Sequence, residues 1–108
     1  MNNTKAENEI IISVPDVIAD QNLNNFLAGM LITLVLTEKK LDRIGIIEET
    51  ALLLPHVQLQ RDNTVIPTPV FGRAHDAFIV KALQTGYRSG EFTVTGDMYR
   101  IGEKVERY

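Results

Sequence analysis

Apolar positions along this chain fall into blocks of different period, and the longest, FLAGMLITLVL at residues 26–36, is broken only by Thr33. Its second half is rich in β-branched residues, which suit a strand. Length decides for a helix: with Asp20 or Asn22 as N-cap the segment reaches Glu38 or Lys39, about four turns. A bilayer-spanning helix takes roughly 20 apolar residues, more than this block supplies. A helix lying on a membrane would need a charged face, and this one has none. Being apolar on every side, it has to be surrounded, so the pattern predicts it at the centre of a small globule.

Shorter patterns flank it. Ile10 to Val14, following Glu9, reads as a strand that Pro15 stops. Its plainer destination is an edge of this chain's own sheet; the other is a partner's sheet, against which Ile10 and Ile12 would dock. Beyond the central block, Asp42 is a good N-cap for a second helix. Ile44, Ile47, Ala51 and Leu54 recur at helical spacing, broadened by Ile46 and Leu53, and predict its buried face. Glu48 and Glu49 fall outside that face. Pro55 ends the helix, because the residue before a proline resists the α conformation.

Residues 55–72 are ambiguous. Val57 and Leu59 alternate with polar neighbours, Arg61-Asp62-Asn63 is a turn signal, and Val65-Ile66 follow, which allows a small hairpin. Pro67 and Pro69 keep the segment off the centre of any sheet. A third helix is expected from Arg73 to Thr85, with Ala74, Phe78, Ile79, Ala82 and Leu83 inward and Gly86 as its left-handed terminator.

The C-terminal pattern is the most explicit. Gly96-Asp97 is a two-residue loop of the type II′ kind between Glu91–Thr95 and Met98–Gly102. That loop pairs Thr95 with Met98, Val94 with Tyr99, Thr93 with Arg100 and Phe92 with Ile101. Phe92, Val94, Tyr99 and Ile101 then share one face, and Thr93, Thr95, Met98 and Arg100 the other. The sum is an α+β, winged-helix-like fold: three helices, a C-terminal hairpin and a short N-terminal strand. One domain is expected over 9–108, after a polar, frayed tail at 1–8.

Composition narrows the function classes. The chain has 108 residues, a 44% hydrophobic share and a net charge of −3, which speaks against nucleic acid as the main partner. Acidic residues dominate residues 1–60, whereas residues 61–108 are almost balanced. Without cysteine there is no disulfide and no thiolate chemistry, and the opening residues lack the pattern of a secretory signal, so a cytoplasmic location is expected. His56 and His75 lie too far apart in sequence for a paired metal motif, no serine sits in a G-x-S-x-G turn, and no phosphate-binding glycine loop is present. Neither an enzyme nor a cofactor is expected.

The segments LAGMLITLVL, KKLD, IIEETALLLP and FTVTGDMYRIGEKV, spread over roughly residues 24–105, resemble the small middle components of bacterial three-component ABC defence systems. That resemblance implies an adaptor between an SMC-like ATPase and an effector, and it transfers no catalytic residue. The expected role is accordingly a non-enzymatic adaptor, with Ile10, Ile12, Thr93, Thr95 and Met98 as candidate partner contacts. A small DNA-binding regulator is the alternative, touching phosphates through Arg73, Lys81, Arg88, Arg100, Lys104 and Arg107 on the third helix and wing. Against it, a long proline-containing link separates the second and third helices, where a DNA-reading pair has about 3–4 residues. An inhibitor or immunity-type role and a homo-oligomer are also left open.

Overall fold

The computed structural model describes residues 9–69 and 71–102. The chain is α+β. β1 (Ile10–Ser13) leads through a 3-10 turn at Asp20–Asn22 into α1 (Leu23–Leu36) and α2 (Arg43–Leu53). A second 3-10 turn (Leu54–His56) feeds the hairpin β2 (Val57–Arg61) and β3 (Thr64–Ile66). A third (Gly72–Ala74) opens α3 (His75–Ser89), and β4 (Phe92–Thr95) with β5 (Met98–Ile101) closes the described chain. None of the described helices is long and apolar enough to cross a membrane.

α1 is the inner rod that its composition requires. Leu27, Ala28, Leu31, Ile32, Val35 and Leu36 are buried, packed among Ile46, Leu59, Ile79, Leu83 and Phe92. It is not enclosed on every side, however. Phe26, Gly29, Met30 and Leu34 remain half-exposed, so the expectation of a fully surrounded helix is corrected.

β1 takes the plainer of its two destinations. It runs parallel to β2, Ile10 beside Val57 through Ser13 beside Gln60, and β2 pairs antiparallel with β3. Asp62 and Asn63 both take positive φ, 54° and 66°, as a type I′ turn demands, which resolves the ambiguous segment as a hairpin. Pro67 and Pro69 follow β3, and β3 is an edge, as a proline-flanked strand should be.

The C-terminal hairpin has the register that its tip dictates: Phe92–Ile101, Thr93–Arg100, Val94–Tyr99 and Thr95–Met98. Only Gly96 of the tip pair has positive φ, consistent with type II′. A one-residue bridge to Leu41 ties it to the α1–α2 link: Leu41 N–H donates to Tyr99 O (3.2 Å) and Tyr99 N–H to Leu41 O (2.7 Å).

Two helix assignments need correction. α3 does not stop at Thr85; it continues to Ser89, and Gly90 is the left-handed cap, with φ 88°. Gly86 is instead buried within the helix, where a Cβ would collide with the Phe92 ring; its missing side chain is the socket for β4. The inward stripe of α3 is accordingly His75, Ile79, Leu83 and Gly86, and Ala74 is exposed. In α2 the Asp42 cap forms, with Gly45 N–H donating to Asp42 Oδ1 at 2.8 Å. The buried side is rotated from the expected one: Ile46, Ile47, Leu53 and Leu54 pack on the core as expected, and Ile44 and Ala51 do not. Ile46 and Thr50 are both at 0% exposure, whereas Ile44 is 62% exposed and Ala51 also faces solvent.

Candidate functional site

Each histidine has a place that a protein scaffold explains. His56 is exposed in a 3-10 turn. His75 is buried at the start of α3, its Nε2 2.9 Å from Thr50 Oγ1 and 3.2 Å from Ile47 O on α2. Thr50 sends its own hydroxyl hydrogen to Ile46 O at 2.8 Å. The Ile47 carbonyl can only accept, so the geometry assigns the hydrogen to Nε2. This imidazole is a tie between two helices, backed by the Phe71 ring at 5.7 Å. Glu48 is exposed and Glu49 half-buried on separate sides of α2. Among the described residues no group of three or more His, Cys, Asp or Glu is placed to hold a metal ion.

The basic residues are dispersed. Arg73 stands exposed in the turn before α3, and Lys81 and Arg88 are exposed on that helix, seven residues apart and hence on one face. Arg100 is half-buried on β5, while Lys104 and Arg107 lie outside the described residues. Lys81 also stands at a groove of about 390 Å³ between α1 and α3, lined by Phe26, Gly29, Met30, Ala82 and Phe92. Arg61 is already engaged, pairing with Asp20 at 3.0 Å and donating to the Ile18 carbonyl.

The proposed partner contacts divide. Ile12 is in the core, so as a side-chain contact it is corrected, whereas Ile10 packs on the core and remains half-exposed. Their strand still presents a backbone edge. Thr95 and Met98 are exposed near the hairpin tip, whereas Thr93 is half-buried and its hydroxyl has no hydrogen-bond partner.

A different surface draws apolar residues together. Around the wheel of α2, Ile44, Glu48 and Ala51 project away from the domain, with Leu52 (68% exposed) at their flank and the exposed Pro55 following in the 3-10 turn. Four of these five are apolar, and the helix buries a threonine on its opposite side. At its N-terminal end this face meets a cleft of about 340 Å³ against the hairpin, lined by Asp42, Arg43, Ile44, Val94, Asp97 and Tyr99. Ile44 and Ala51 belong to the stripe visible in the sequence, whose Ile47 packs on the core. Nothing in the spacing revealed that Ile44 and Ala51 point outward, because Thr50 reads as a surface residue until His75 is brought beside it.

No family model matches this chain, and neither a curated protein nor a solved structure matches it.

Proposed function

We propose that this chain is a non-enzymatic adaptor, a winged-helix-like module of the cytoplasm that binds another protein through the outward face of α2 and the adjoining hairpin cleft. The observation that carries this reading is the exposure of Ile44, Ala51 and Leu52 on a helix whose inner side accommodates a buried threonine. Exposed apolar residues gathered on one face, unlike single scattered ones, mark an interaction surface. The resemblance to middle components of defence complexes supplies a class of partner, an SMC-like ATPase or its effector.

The test is co-purification from the native host, comparing the tagged wild-type chain with Ile44→Arg and Leu52→Arg. A stoichiometric partner recovered by the wild type and lost by both variants is expected. Retention of the same partner by both variants would refute the assigned face, and solitary behaviour of the wild type would refute the adaptor reading.

DNA binding has one observation in its favour, the shared face of Lys81 and Arg88 on α3. Counterion release predicts that any such affinity falls steeply with salt and that Arg88→Ala flattens the slope. Absence of binding at low salt ends that reading.

A further inference from the structure

The two edges of the three-stranded sheet are treated differently. β3 is only three residues long and is followed by Pro67 and Pro69, which guard that edge against further pairing. Among the described residues β1 has no such guard: between Ile10 and Ser13 there is no charge and no proline. Its ladder to β2 fixes which backbone groups are free. Val14 N–H donates to Gln60 O at 2.8 Å, so Val14, Ile12 and Ile10 direct their amides toward β2. Ile11 and Ser13, of opposite parity, direct theirs outward. The outer face beside this edge is also uncharged, carrying Ile11 (56% exposed), Ser13, Gln58, Gln60 and Val65.

We infer that β1 pairs antiparallel with β1 of a second copy of this chain, about a twofold axis at Ile11, joining the two sheets into one. The strand is self-complementary in this register. Ile11 faces Ile11, Ile10 faces Ile12 on the inner side, and Glu9 faces Ser13, so every outward amide from Glu9 to Ser13 gains a partner, about six hydrogen bonds in all. A centre at Glu9 would oppose two carboxylates. A centre at Ile12 or Ser13 would waste a position on Pro15, which has no N–H.

Beside Ile10 the inner face opens into a cleft of about 300 Å³ rimmed by Glu38, Lys39 and Glu49. The twofold places the two clefts on the same side of the joined sheet. This dimer is separate from the docking face on α2, and neither depends on the other.

Sedimentation of the purified full chain across micromolar concentrations tests it. A mass approaching twice 12.1 kDa is expected for the wild type. Ile11→Lys puts two cations on the axis, and Ser13→Pro deletes an outward amide without touching the β2 ladder; both should restore the monomer mass with unchanged circular dichroism. The chain has no cysteine, so Ile11→Cys supplies a unique thiol, and under mild oxidation it should crosslink to a dimer while Gln58→Cys, one strand inward, should not. A wild type that stays monomeric at every concentration would overturn the proposal. So would a dimer that survives both β1 variants.

Discussion

α2 and α3 lie side by side, share the Thr50–His75 tie, and relate oppositely to solvent. α3 is mostly finished by its own chain: His75, Ile79, Leu83 and Gly86 turn inward, and Asp76, Lys81, Gln84 and Arg88 turn out around a single exposed large ring, Tyr87. α2 is apolar on both sides. It buries Ile46 beside a threonine and leaves Ile44, Ala51 and Leu52 uncovered. The burial pattern of α3 follows from packing within the chain alone. That of α2 does not, and the surplus of apolar surface is what a second protein would cover.

The contrast can be broken first at the inner sides, where the two helices should behave alike. Ile46→Ala and Ile79→Ala each remove a fully buried side chain and should cost about 2–5 kcal/mol in urea unfolding, a comparable loss on both helices. Next in size is Gly86→Ala, whose new methyl meets the Phe92 ring and should cost about 1–3 kcal/mol by overpacking. Thr50→Val keeps the volume and deletes the hydroxyl that faces His75 Nε2. A loss of about 1–3 kcal/mol is expected for weakening a buried donor's pairing. Removing the cap with Asp42→Ala should cost about 1 kcal/mol.

The smallest effect carries the most information. Ile44→Lys and Leu52→Lys change exposed residues and should move the stability of the isolated chain by no more than about 0.5 kcal/mol in chemical denaturation. A loss as large as that of Ile46→Ala would mean that these side chains support the fold, and the distinction between the two helices would fail.

Where local chemistry determined a feature, the sequence was readable. Gly96-Asp97 specified its hairpin to the residue, because a two-residue loop sets register without reference to the rest of the molecule. Asp42 specified its cap for the same reason. The three helices, the N-terminal strand and the C-terminal hairpin were likewise legible. Tertiary context decided what the pattern could not. Gly86 has the composition of a helix terminator, but Phe92, distant in the pairing, makes it a socket, and Gly90 terminates the helix instead. Of the apolar face expected for α2, Ile46, Ile47, Leu53 and Leu54 do pack on the core, whereas Ile44 and Ala51 face solvent, because periodicity says which residues share a face and not where its inward limit falls. The candidate surface was therefore half visible: its residues could be named, and its direction could not.

Site-specific photocrosslinking in the native host tests the central contrast most directly. A photoreactive amino acid at position 52, on the outward side of α2, is compared with one at position 84, on the outward side of α3. A discrete protein adduct from position 52 and none from position 84 is predicted. No adduct from position 52, or the same adduct from both, would contradict the claim that the outward side of α2, and not that of α3, is a docking face.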